Sequence, residues 1–194
     1  MPSFNAFTSY LNLGFHHIVD INGLDHLLFI ITLCAVYQYI EWRKVAIVIT
    51  AFTVGHSITL ALASLRIIVP NRYLIEILIP ITIFISGVYN LISVNKPKGN
   101  KLFIKYFLAL FFGLIHGMAF SNFFNFMMGD SVSIIFPLFA FNVGIEVGQL
   151  FIIFIYYLTT YLVLRTLKVS HNHIAYFFSA LGVIVSIFLI YNRI

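Results

Sequence analysis

Val45–Leu65 reads VAIVITAFTVGHSITLALASL. It holds no Asp, Glu, Lys or Arg, and its one titratable side chain is His56. A helix rises about 1.5 Å per residue, so about 20 apolar residues cross the hydrocarbon core of a bilayer. This stretch has that length. Long apolar runs of the same kind recur along the chain. Of its 194 residues, 61% are hydrophobic and only 9% charged, with a mean hydropathy of +1.03. A soluble domain carries about 25% charged residues. So few charges cannot cover a globule, which excludes a soluble enzyme, a nucleic-acid binder and a disordered chain. A membrane barrel would alternate in segments of about ten residues, and these runs do not alternate. The expected class is all-α: a polytopic membrane helix bundle of about six transmembrane helices, one integral domain over residues 1–194.

Residues 1–20 place Phe4, Phe7, Leu11, Phe15 and Ile18 at helical spacing, with Ser3, Asn5, Ser9 and Asn12 elsewhere. That pattern predicts an N-terminal interfacial amphipathic helix. Spans are expected over residues 24–40, 45–65, 72–94, 101–120, 132–164 and 174–191. Pro70-Asn71 and the run Asn95–Asn100 mark turns. A loop rich in Asn, Phe and Met is expected from Phe120 to Asp130. No basic n-region or small-residue cleavage site opens the chain, so no cleavable signal is expected. The single cysteine, Cys34, lies inside an apolar run and allows no disulfide within the chain.

Orientation follows from the basic residues. Arg43, Lys44, Lys96, Lys98, Lys101, Lys105, Arg165 and Lys168 fall on one side, and Arg66, Arg72 and Arg193 on the other. Basic residues concentrate on the cytoplasmic side of short loops. Both termini are therefore expected outside, in a bacterial inner membrane.

The remaining ionisable groups sit inside the runs. Such groups cost roughly 2.5–3.5 kcal/mol on insertion scales and normally face a cavity, a partner or a site. Asp25 and His26 open the first span, just after His16 and His17. His56 follows Val45 by about 17 Å of helix, and His116 follows Lys101 by about 22 Å. Glu146 lies about 15 Å into the fifth span, with Asn142 and Gln149 on the same helical face. These fall between the midplane and the outer surface, so Asp25, His26, His56, His116 and Glu146 are the expected metal-binding set, with His17 placed either in that set or, like His16, in the headgroup region. Ser57, Glu76, Asn142 and Gln149 are the expected pathway or supporting residues. Glu76 can also pair simply with Arg72 at i+4. Imidazole with carboxylate suits a divalent transition metal such as nickel, zinc or copper, and a carboxylate beside a histidine can orient it.

These residues also carry a resemblance. Gly23-Leu24-Asp25-His26, Phe52-Thr53-x-Gly55-His56-Ser57, Phe112-Gly113-Leu114-Ile115-His116-Gly117 and Phe141-Asn142-x-Gly144-x-Glu146-x-Gly148-Gln149 resemble the HupE/UreJ family of integral membrane proteins. The family is associated with hydrogenase and urease accessory genes and is regarded as nickel permeases. Its first-span pattern is a histidine, five residues, then Asp-His. Here seven residues separate His17 from Asp25. The resemblance implies a nickel-type permease whose partners are the lipid bilayer and the ion, with no nucleic acid; homo-oligomerisation is left open. Two other readings stand beside it. One is an intramembrane zinc-dependent hydrolase acting on a lipid or acyl substrate, with Ser57 near an activated water. The other is a non-transporting accessory membrane subunit.

Overall fold

The computed structural model describes residues 4–95, 101–128 and 134–194. Among them are seven helices: α1 (Phe4–Val19), α2 (Leu24–Cys34), α3 (Trp42–Ser64), α4 (Arg72–Ser93), α5 (Lys101–Met128), α6 (Ile135–Leu167) and α7 (His171–Arg193). Five of these, α3 to α7, are long and apolar enough to cross a membrane, and α1 with α2 makes a sixth crossing if the bent pair counts as one. The chain is an all-helical integral membrane protein. The expected loop beyond Asn95, Asp130 and the start of the fifth span at Val132 lie outside the described residues.

The first crossing differs from the expected span over residues 24–40. Helix α2 stops at Cys34 and covers only about 16 Å, too short to cross alone. A capping box then begins the next element, with the backbone N–H of Gln38 donating to the Glu41 carboxylate. Helix α1 supplies the missing length. It was expected to lie on the membrane surface, yet it packs along α6 and runs parallel to it. Phe7 meets Phe136, Phe15 meets Phe151, and Ile18 is fully buried. Helical spacing shows that α1 has an apolar face, but it does not say whether lipid or another helix covers that face. The axes of α1 and α2 meet at 71° across a short 3-10 turn, Ile21–Gly23.

The other boundaries have local causes. Helix α3 ends in a Schellman closure, with Ile67 N–H donating to Leu62 C=O, Arg66 N–H to Ala63 C=O, and Arg66 left-handed at φ 58°. Asn71 caps α4 by accepting from the Leu74 N–H. Helix α5 continues through the expected loop to Met128, because no Gly or Pro interrupts residues 118–128.

Glycines set the packing. Hydrocarbon provides no hydrophobic drive between helices, so small residues that let backbones touch carry the association. A Cβ at Gly113 would strike the Phe52 carbonyl, one at Gly55 the Leu110 carbonyl, and one at Gly117 the His56 carbonyl. Helices α3 and α5 are thus a parallel pair in backbone contact. Gly14 and Gly144 do the same for α1 and α6, against Phe141 and Leu11. Gly87 lets α4 approach α7 at Ser179 and Val183. The bundle is built from these three pairs. One end carries Asp25, Glu76 and Arg193, and the opposite end carries Tyr39, Asn95, Tyr161 and Tyr176.

Adding a methyl at Gly113 has no room to expand into. Gly113→Ala is expected to destabilise the fold by about 1–3 kcal/mol or more. Gly23→Ala, whose Cβ would meet only His26 Nδ1 at 3.9 Å, is expected to be nearly neutral. Unfolding of the detergent-solubilised protein by a denaturing detergent measures both.

Candidate functional site

Four histidines from four helices meet in the upper half of the bundle, nearer the Arg193 end. His17 is in the last turn of α1, His26 in the first turn of α2, His56 midway along α3, and His116 on α5. Ring centroids are 4.6 Å apart for His17 and His26, 5.1 Å for His26 and His116, and 6.0 Å for His17 and His56. The bend between α1 and α2 makes this meeting possible. It aims the end of one helix and the start of the next at the α3·α5 pair.

The walls are aromatic. Phe120 and Phe141 stack with centroids 4.9 Å apart and planes 10° apart, and His17 lies 3.9 Å from the Phe120 ring. Phe29 and Phe52 flank His116 at 5.4 and 5.2 Å. His56 and His116 are fully buried. His116 Nε2 is 3.3 Å from the Thr82 hydroxyl on α4. His17 Nε2, His26 Nε2, both nitrogens of His56 and His116 Nδ1 have no hydrogen-bond partner. A buried polar atom left unpaired costs about 1–3 kcal/mol, and native interiors rarely carry several together. Clustered imidazole nitrogens of this kind have the donor chemistry for a borderline divalent cation. In the present rotamers the rings meet edge to face, at 66° and 74°. Among the described residues, no three His, Cys, Asp or Glu side chains are arranged to hold a metal ion. Ligation would therefore require the rings to turn.

The carboxylates expected with the histidines lie apart from them. Asp25 precedes His26 on α2, so the two cannot share a helical face, and Asp25 turns to Arg193 at 2.7 Å. Glu146 faces α3, where the Thr50 hydroxyl donates to it at 2.6 Å; it makes no hydrogen bond or ion pair with the histidines. One turn further along α6, fully buried Gln149 accepts from Thr53 at 2.8 Å. The face shared by Asn142, Glu146 and Gln149 thus forms a polar seam with α3 beside the histidine cluster. Asn142 donates to the Leu138 carbonyl and lines a groove of about 660 Å³ with Ser57 and Ala61. Ser57 is turned back onto the Thr53 carbonyl. Glu76 pairs with Arg72 at 2.7 Å, the simpler of its two expected roles.

Three features were not anticipated from the sequence. Thr82 gives no signal, because a threonine inside an apolar helix usually bonds its own backbone. In the sequence, Arg193 and Lys105 read only as topology charges. Lys105 is in fact buried one turn inside α5. It donates to Asn90 Oδ1 at 2.9 Å and sits over the faces of Tyr37 and Tyr89 at 4.7 and 5.9 Å. Asn90 in turn donates to the Thr32 carbonyl near the end of α2. The lower half of the bundle is therefore not apolar throughout. The position of Lys105 one turn past Lys101 was the available clue.

The family model described as HupE / UreJ protein matches residues 2–192, and the chain belongs to that family. No curated protein and no solved structure matches the chain.

The seam makes its own prediction. Thr53→Val leaves the Gln149 carbonyl oxygen buried without a donor, and should cost about 1–2 kcal/mol. Thr50→Val, at the more exposed Glu146, should cost less than half of that. The same unfolding measurement compares them.

Proposed function

We propose that this HupE/UreJ family member is a permease for a divalent transition-metal ion of the nickel or cobalt type, taken up through the histidine cluster. The observation that carries the reading is the meeting of four imidazoles from four helices, three buried and His17 half-buried, with most of their nitrogens unpartnered. Metal is the cargo here rather than a resident cofactor. Imidazoles offer it nitrogen ligands, and the open pocket of about 490 Å³ lined by His16, His17 and Phe120 leads to them.

The broken first crossing supports the same reading. Discontinuous helices place backbone ends and side chains at the ion site of many transporters, with the C-terminal end of a half-helix facing the cation. Here α1 ends beside His17. The side carrying Arg193 is the outer face, since the basic residues favour the opposite end as cytoplasmic. Counting α1 and α2 as one crossing gives an even number, so both termini lie outside, in a bacterial inner membrane.

The α3·α6 seam supplies an inward route. Thr53 and Gln149 sit one turn below His56, and Thr50 and Glu146 lie beside them. An ion leaving the imidazoles would meet amide, hydroxyl and carboxylate oxygens, which bind a borderline ion less tightly than nitrogen does. That gradient favours release, as transport requires. Family membership also weighs for transport over hydrolysis.

Uptake into proteoliposomes tests this reading. Nickel or cobalt should accumulate with the unaltered protein. His56→Ala and His116→Ala should each reduce uptake by about 10–100-fold, and elemental analysis should show less metal bound to His116→Ala. No accumulation of nickel, cobalt, zinc, copper or iron would sink the proposal.

A further inference from the structure

Arg193 sits at the end of α7, beside the residue that precedes His26, and its position is built from three helices. Nη2 donates to Asp25 Oδ2 on α2 at 2.7 Å, and Nη1 donates to the Glu76 carbonyl on α4 at 2.8 Å. That carbonyl is available for a structural reason. It would normally accept from the residue four positions on, but that residue is Pro80, which has no N–H. Proline inside α4 thus creates an acceptor, and the end of α7 uses it. The ion pair is mostly buried, with the two side chains 26% and 17% exposed. Removing one member of such a pair leaves an uncompensated charge. Arg193 lies one residue past the region that matches the family.

Asp25 and His26 are consecutive, so the socket of Arg193 adjoins the imidazoles. The Glu76 carboxylate pairs with Arg72, and the described contact of Arg193 with Glu76 is to its carbonyl. Asp25 is the carboxylate that Arg193 holds, and an incoming divalent ion would compete for it in a medium where like charges repel strongly. We propose that Arg193 is a tethered cation that holds Asp25 while the histidines are free of metal and yields it when a divalent ion enters. The exchange frees the end of α7 from α2 and opens the outer face, and the return of Arg193 closes it. It also keeps the site from binding its ion too tightly to release.

This inference rests on the permease reading, and a cycle of four proteins separates the two. Nickel or zinc affinity is measured by titration in nanodiscs for the unaltered protein, Arg193→Gln, Asp25→Asn and the double variant, with His116→Ala as control. Arg193→Gln should bind about 10-fold tighter or more. In the Asp25→Asn background the same change should alter affinity less than about threefold. Binding that is lost in His116→Ala but unchanged or weaker in a folded Arg193→Gln overturns the tethered-cation role alone. An equal gain in both backgrounds also overturns it. No binding by the unaltered protein overturns both readings.

A second measurement leaves Arg193 in place, in case Arg193→Gln does not fold. Asn192→Cys adds an exposed thiol, while native Cys34 is buried. With a bimane label at position 192, saturating zinc should shift the emission. An unchanged emission with zinc bound at the unaltered stoichiometry overturns the proposal.

Discussion

Backbone contact between helices is the constraint on which the structure depends. In water, an apolar face drives helices together and side chains then fit as they can. In hydrocarbon that drive is missing, and close van der Waals approach has to supply the association. Gly55, Gly113 and Gly117 bring α3 and α5 to carbonyl contact, and Gly14 with Gly144 brings α1 to α6. Gly113 and Gly117 bracket His116, and Gly55 precedes His56. The residues that dock these helices are thus neighbours of those that offer nitrogen. The docking places His56 and His116 before any side-chain packing is considered.

The cluster is costly to keep. Several buried imidazole nitrogens without partners work against the fold at roughly 1–3 kcal/mol each. What offsets them is the aromatic packing around them, in particular the stack of Phe120 on Phe141 and the ring contacts of Phe29 and Phe52 with His116. Large rings fill the space between helices that glycines have drawn close, around the most deeply buried imidazoles. Polar groups that need satisfying are grouped elsewhere, in the Thr50–Glu146 and Thr53–Gln149 pairs and around Lys105. The bundle thus separates a cluster of imidazole nitrogens from the hydroxyl, amide and carboxylate groups of the neighbouring seam.

Most of the architecture was legible from apolar run length, because length against bilayer thickness is a strong constraint. Helices α3, α4, α6 and α7 fall within a few residues of their expected spans. The first crossing was not legible, since its 71° bend comes from two short helices whose separate lengths match no simple rule. The end of α5 differs from its expected span because a segment rich in Asn, Phe and Met reads as a loop, although with no Gly or Pro it continues the helix to Met128. At the site, depth arithmetic brings Asp25, His26, His56, His116 and Glu146 to similar levels and leaves His17 open. It could not resolve rotation about each helix axis, and rotation sends Glu146 to Thr50 and Asp25 to Arg193. Arg193 could not be read locally at all, because its socket combines a carboxylate on α2 with a carbonyl freed by a proline on α4.

The α3·α5 pair has a metrological consequence. Its backbones touch in parallel register, so His56 and His116 cannot slide past one another without breaking several glycine contacts at once. They form the fixed jaw of a caliper. His17 and His26 flank the bend between α1 and α2, so their distance from that jaw is fixed by the bend angle. Under the proposed permease reading, a preference for ionic radius would follow that angle rather than the pair that carries the most deeply buried nitrogens.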